Sequence, residues 1–280
     1  MTMKKDFAAR PDAAEPADAE VLLRVSGLEK RFGTGTDVVT VLGGIDLDVR
    51  RGEFVCIVGP SGCGKSTLLG CLSGLITPTS GMTTFGGRVV TTPPEKMAVV
   101  FQDYSRSLLP WMRVAGNIGL PLRKKLKVPK RREQVAIALE NVGLKGKGHL
   151  YPWQMSGGMQ QRAAIARGLA YQPDVLLMDE PFASVDAQTR VDLEDLVLTI
   201  RRSYNTTVLF VTHDIDEAVY MGDRVVVLSG SPTTVTEDIQ VDLAHPRHQI
   251  DTKLDPRYGT LRAHVFKLIQ AAKHDTATDN

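Results

Sequence analysis

The run Gly59-Pro60-Ser61-Gly62-Cys63-Gly64-Lys65-Ser66-Thr67 carries what a polyphosphate needs from a protein. Glycines at 59, 62 and 64 admit backbone conformations that a Cβ would penalise, so successive N–H groups can turn toward one anion. Lys65 adds a mobile positive charge, Ser66 offers a hydroxyl to Mg²⁺, and Thr67 opens a helix whose N-terminal dipole favours phosphate. The spacing Gly, four residues, Gly-Lys-Ser is that of a phosphate-binding loop, and its surroundings agree. Phe54-Val55-Cys56-Ile57-Val58 ahead of it reads as a fully buried strand, and Leu68, Leu69, Leu72 and Leu75 behind it mark one face of a helix.

A second chemical site is Val175-Leu176-Leu177-Met178-Asp179-Glu180-Pro181, an apolar strand ending in two adjacent carboxylates. Strand alternation sends the two in different directions, so one can hold Mg²⁺, directly or through water, while the other faces a nucleophilic water. Asp179 is assigned to the metal and Glu180 to the base. By itself the segment is also what a strand with a charged turn looks like, and the phosphate loop upstream favours the chemical reading. A third site, Ser156-Gly157-Gly158-Met159-Gln160-Gln161-Arg162, precedes an Ala-rich stretch that predicts a helix through about Ala170. Ser156 is suited to cap it, and the capped end can hold a second anionic group through N–H donors, the hydroxyl and the helix dipole. An ordinary capped helix has the same pattern.

With 280 residues, 42% hydrophobic and 24% charged, the chain can bury a sizeable core. No apolar run approaches the ~20 residues that cross a bilayer, and no signal-peptide core follows the first residues. A net charge of +2 argues against a nucleic-acid partner, although Lys and Arg cluster from Arg123 to Arg132, where a solvated helix face or loop is expected. The three cysteines, at 56, 63 and 71, are too few for a four-cysteine zinc site and read as small buried hydrophobes.

Residues 1–20 are rich in Ala, Asp, Glu and Pro and predict a disordered tail; the folded domain is expected to run from 21 to 230, with a C-terminal extension over 231–280. Alternation in Leu23-Arg24-Val25 and in Ile45-Asp46-Leu47-Asp48-Val49 predicts half-buried antiparallel strands before the phosphate loop. Further strands are expected at 98–101, 175–178, 208–211 and 224–228, with helices between several of them, which favours an α/β core. Leu261, Val265, Leu268 and Ile269 recur at helical spacing, and packing, on the chain's own core or on a second copy, is the expected use of that face rather than a regulatory role.

The phosphate loop, Gln102 after a short strand, the Ser-Gly-Gly segment, the Asp-Glu strand end, Ser184-Val185-Asp186 and His213 after another strand occur in the order found in ATP-binding cassette proteins, which residues 21–230 resemble. The resemblance implies a P-loop NTPase fold: a RecA-like α/β core, an N-terminal antiparallel β subdomain, and a helical subdomain inserted at about 103–167. It implies ATP and Mg²⁺ as ligands and a head-to-tail homodimer, in which the phosphate loop of one chain and Ser156, Gly157 and Gly158 of the other enclose one ATP, with Asp186 at the seam. Gln102 would sense the magnesium and the attacking water, His213 would contact the γ-phosphate, and Phe32 would stack on adenine. Two positions depart from the common pattern: Met159 stands where many relatives carry Gln, and Phe32 where Tyr is common.

Leu108-Leu109-Pro110-Trp111, the Ser-Gly-Gly-Met-Gln-Gln-Arg signature, and Asp223-Arg224-Val225-Val226-Val227-Leu228 leading to Val241-Asp242-Leu243 look like the nitrate, sulfonate and taurine importer branch. Taken by themselves, Trp111 and Trp153 are more readily core residues of the helical subdomain. The branch implies an ATPase peripheral to the cytoplasmic face of the plasma membrane, working with two permease subunits and an external solute-binding protein. A soluble cassette ATPase remodelling a macromolecular partner is the alternative; the paired cassettes or long coiled-coil insertion common in that class are not visible. A P-loop kinase would leave the signature, Asp186 and His213 unexplained.

Overall fold

A computed structural model describes residues 20–35, 37–103 and 107–278, and the side chains of these as far as 273. Apart from Glu20, the tail expected over 1–20 lies outside the described residues. In chain order the elements are β1 (Val21–Phe32), β2 (Val39–Arg50), β3 (Phe54–Val58), α1 (Lys65–Leu72), β4 (Ser80–Phe85), β5 (Arg88–Val89), β6 (Met97–Val100), α2 (Val114–Gly119), α3 (Val128–Asn141), α4 (Gly157–Ala170), β7 (Val175–Asp179), α5 (Ala187–Tyr204), β8 (Thr207–Val211), α6 (Ile215–Met221), β9 (Arg224–Leu228), β10 (Val235–Gln240), α7 (Asp251–Leu254) and α8 (Pro256–Thr278).

Four of these strands, β3, β7, β8 and β9, are buried at every position. Such continuous apolar runs suit a sheet covered on both faces. They form the middle of a six-stranded sheet in the order β10-β9-β3-β8-β7-β6, parallel except for the antiparallel edge strand β10. Alternation divides their side chains between two cores. Phe54, Cys56, Val58, Leu176, Met178, Val208, Phe210, Val225 and Val227 join one core with the helices α2 to α6 and α8. Val55, Ile57, Val175, Leu177, Leu209, Val211, Val226 and Leu228 join the other, with α1 and the inner face of the antiparallel sheet β2-β1-β4-β5. All three cysteines are buried free thiols, as expected from the sequence.

Several expectations are met within a residue or two. Met97–Val100 begins one residue before the expected strand, and Phe101 lies outside it, 46% exposed. The strands before the phosphate loop are longer than the short alternating runs implied, 12 residues each, because β-bulges absorb breaks in alternation such as that between Val25 and Leu28. The β4, β5 and β10 strands were not foreseen; β5 is exposed and β4 and β10 are only partly buried, so none carries an apolar run. The α8 helix buries Val265, Ile269 and Ala272 and packs against α6 and β9, so this face is used on the chain's own core, one of the two surfaces the sequence left open. Trp111 and Trp153 do not serve the core: they are 72% and 69% exposed, and Trp153 stacks on Tyr151 at the surface.

Two buried charge networks tie strand ends together. Arg224, at the start of β9, pairs with Glu53 at 2.6 Å and Asp238 at 2.7 Å and donates to the Asp48 carbonyl at 2.6 Å. After β8, the Thr212 hydroxyl donates to Glu217 Oε2 at 2.5 Å, while Arg190 of α5 pairs with Asp214 at 2.9 Å and lies 3.5 Å from Glu217. Asp214 caps α6 by accepting from the Asp216 and Glu217 amides. Burial, helped by Asp214 and Glu194 and opposed by the Thr212 hydrogen bond and Arg190, pushes the Glu217 carboxyl up to about 7.

Arg224→Met strands a buried carboxylate and is expected to lower stability by about 3–5 kcal/mol, with part regained on adding Glu53→Met; urea denaturation reads both. For Glu217 the folded value lies above the unfolded one, so its contribution is complete below about pH 4.5 and lost as pH rises through about 7. The stability of the wild type relative to Glu217→Gln should therefore fall by about 2 kcal/mol between pH 5 and 7.5, measured from unfolding midpoints in the two buffers.

Candidate active site

The phosphate loop spans the gap between the end of β3 and the start of α1. Gly64 occupies the N-cap position of α1 with φ +106°, and a Cβ there would also meet Val41 at 2.7 Å. No side chain caps this helix and no acidic residue occupies its first turn, so its leading N–H groups stay available to an anion. Lys65 is 5% exposed, and its ammonium donates to the Gly59 and Pro60 carbonyls at 3.0 Å each. A loop carbonyl, that of Cys63, is held from beneath by the Thr233 hydroxyl, and Thr233 also bonds the backbone at Val41 and Gly43. Sequence reasoning missed Thr233, which lies in an irregular polar stretch without a motif.

Strand parity fixes the carboxylates. Asp179 follows Leu177 on the side of β7 that faces α1, and it is 9% exposed. Burial raises its pKa, partly offset by a hydrogen bond with the Ser66 hydroxyl and by the Lys65 charge. Its Oδ1 is buried without a hydrogen-bond partner. Glu180 leaves strand geometry with φ +40°, a left-handed conformation that costs a non-glycine residue roughly 1–2 kcal/mol. Its amide donates to the Val211 carbonyl at 2.9 Å, which holds the turn in place.

The result is a convergence on one carboxylate. Glu180 Oε2 accepts from Gln102 Nε2 at 3.2 Å and lies 3.0 Å from His213 Nδ1, while Oε1 stands 4.0 Å from Lys65 Nζ. With the carboxylate ionised, His213 carries its proton on Nδ1 and leaves Nε2 for another group. Gln102, Lys65, Glu180 and His213, four residues of four separate segments, are thus brought together. Thr212, Glu217 and Arg190 brace the turn that carries His213; the capping signature Asp214-x-x-Glu217 was the available signal for part of that network.

Mg²⁺ and a polyphosphate fit these residues. The orphaned Asp179 oxygen and the Ser66 hydroxyl hydrogen-bonded to that carboxylate are hard-oxygen donors, Gln102 at Glu180 carries a third such oxygen on its amide, and no cluster of three or more His, Cys, Asp or Glu is present among the described residues. So sparse a set suits a cation that takes its remaining oxygens from water and phosphate.

Other expected residues stand apart from this centre. Ser156 caps α4, its hydroxyl accepting from the Met159 amide at 3.4 Å, and Gly157 and Gly158 form the first turn. Among the described residues no hydrogen bond or ion pair joins them to the phosphate loop. Asp186 caps α5 and is solvent-exposed. Phe32, at the end of β1, is 44% exposed with the Lys30 ammonium 4.9 Å from its ring centroid, so it is open to a stacking partner.

The ABC transporter family matches residues 42–183. The chain is 41% identical over 258 residues to the bicarbonate transport ATP-binding protein CmpC of Synechococcus elongatus, covering 90% of this chain but only 39% of that one. It is 40% identical over 253 residues to the nitrate transport protein NasD of Klebsiella oxytoca, covering 89% and 96%. An aliphatic sulfonates import ATP-binding protein of Burkholderia lata is 44% identical over 231 residues, covering 82% and 81%. Among solved structures, a dimeric ATP-binding cassette in a post-hydrolysis state bound to ADP and Pi superimposes with a TM-score of 0.70 at 30% identity, over 79% of this chain and 99% of that one. The fold is accordingly the P-loop NTPase cassette fold, and the chain belongs to the ABC transporter family.

Proposed function

We propose that this chain is the ATP-hydrolysing subunit of a bacterial importer for a small solute of the nitrate, sulfonate or taurine class. The observation that carries the reading is the meeting of Gln102, His213 and Lys65 at the Glu180 carboxylate, beside an uncapped helix end. In this reading Lys65 and the loop from Gly59 to Thr67 bind the triphosphate, with Phe32 against the adenine. Ser66, Asp179 and Gln102 hold Mg²⁺, which when bound neutralises phosphate charge. Glu180 accepts the proton of the attacking water, Gln102 orients that water, and His213 meets the γ-phosphate through Nε2. The relatives named for nitrate, bicarbonate and aliphatic sulfonates support a small anionic cargo.

The partners belong to the same proposal. A second copy of the chain brings Ser156, Gly157, Gly158 and Asp186 to the nucleotide, which accounts for a signature segment lying apart from the phosphate loop of its own chain. Two permease subunits and an external solute-binding protein complete the assembly at the cytoplasmic face of the plasma membrane. No helix among the described residues is long and apolar enough to cross a membrane. A cavity of about 310 Å³ between α2 and α3 supports permease partners, with an apolar floor including Gly116, Gly119 and Val135 and a rim of Arg123, Arg131 and Arg132. None of these arginines pairs with a carboxylate among the described residues, and the cavity suits a permease segment carrying an acidic side chain.

Glu180→Gln should keep ATP affinity while turnover falls by ~10²–10⁴-fold, read by equilibrium binding and phosphate release; near-wild-type turnover would remove Glu180 from the role of base. Charge reversal at Arg131 and Arg132 together should lower co-purification with the permease and leave ATP binding by the isolated chain intact.

A further inference from the structure

Gly158 and Thr189 lie on different helices, α4 and α5, and they touch. A Cβ on Gly158 would stand 2.5 Å from Thr189 Cγ2, but 3.6 Å from Oγ1 and 3.7 Å from Cβ, so one methyl group alone excludes a side chain there. Gly158 is helical and its φ is not in the left-handed region, so space rather than backbone conformation demands the glycine. A threonine methyl can ordinarily swing aside by rotation about χ1. This one is pinned. The Thr189 amide donates to Asp186 Oδ1 at 2.9 Å and its hydroxyl to Oδ2 at 2.7 Å, so moving the methyl takes the hydroxyl off the carboxylate. Those two bonds, the amide's first, hold the Asp186 carboxyl below its usual range. Farther along both helices, Arg162 of α4 lies 4.0 Å from Asp192 of α5, a second link between the same pair.

We propose that Thr189 is a positioning residue that joins the N-terminus of α4 to that of α5, so that Ser156 and Asp186 form one preformed surface. Gly158 is needed because only glycine lets Thr189 hold Asp186 while the two helices stay in contact. The proposal rests on the reading above, in which both helix ends meet a nucleotide held by the second copy. It adds the within-chain contact that sets their spacing before the copies meet, a form of preorganisation that removes an ordering cost at closure.

The test is a two-site cycle in the full-length chain, with Mg-ATP turnover as one readout and thermal unfolding as the other. Gly158→Ala should lower kcat by roughly 10²-fold, the effect expected of a misplacement near 1 Å. Adding Thr189→Ser deletes Cγ2 and keeps the hydroxyl, and should restore at least about tenfold of that loss. Thr189→Val, which keeps the bulk and lacks the hydroxyl, should lower kcat with Gly158 intact. A double variant as impaired as Gly158→Ala alone would overturn the proposal, because the glycine would then be required by the nucleotide itself. If the wild-type chain hydrolyses no ATP, the functional reading fails separately and the contact is decided by unfolding. A Gly158→Ala loss in Tm that Thr189→Ser removes supports it, and additive losses overturn it.

Discussion

The rest of the structure depends on keeping one ammonium and two carboxylates close together where little water reaches them. Lys65 and Asp179 are 5% and 9% exposed, and an uncompensated buried charge costs several kcal/mol. The loop carbonyls of Gly59 and Pro60 and the nearby Glu180 carboxylate compensate the lysine, and Gln102 and His213 compensate Glu180. Asp179 is left with a buried oxygen that nothing satisfies. In the proposed function these groups meet a polyphosphate and a hard divalent cation, whose chemistry they suit.

That arrangement requires the sheet to place its strand ends with little freedom. The parity of β7, with Leu176 and Met178 in one core and Val175 and Leu177 in the other, decides that Asp179 turns toward α1. A one-residue slip would exchange the two cores along the entire strand, so the register that stabilises the fold also aims the carboxylate. The left-handed turn at Glu180 then redirects the next side chain toward Gln102 and His213. Its strain is held by the Val211 hydrogen bond across to β8.

Much of this was legible in the sequence, for identifiable reasons. The central strands announce themselves because both faces are buried, and the phosphate loop because glycine and lysine spacing has few other uses. Edge strands were not legible: β10 has only Val235 and Ile239 as apolar residues, separated by Thr236-Glu237-Asp238, so it shows neither an apolar run nor an alternation. The tryptophans misled in one of their two readings, since size predicts burial while Trp111 and Trp153 lie at the surface. Thr233 and Thr189 were invisible because their importance comes from contacts between residues remote in sequence, one under the phosphate loop and one against Gly158. Spacing rules see neighbours along a helix or strand, and these are neighbours across the fold.

In the proposed function one chain contains only part of its nucleotide site; Ser156 and Asp186 cap exposed helix ends apart from the Glu180 cluster, and a second copy supplies them. The most direct test is to measure molecular mass by analytical ultracentrifugation while titrating Mg-ATP into a hydrolysis-impaired chain, with bound nucleotide counted in the same cells. The account predicts that ATP converts monomer to dimer with two nucleotides enclosed per pair, and that ADP does not sustain it. A chain that stays monomeric at saturating ATP, and whose wild-type form hydrolyses it at full rate as a monomer, would contradict the account.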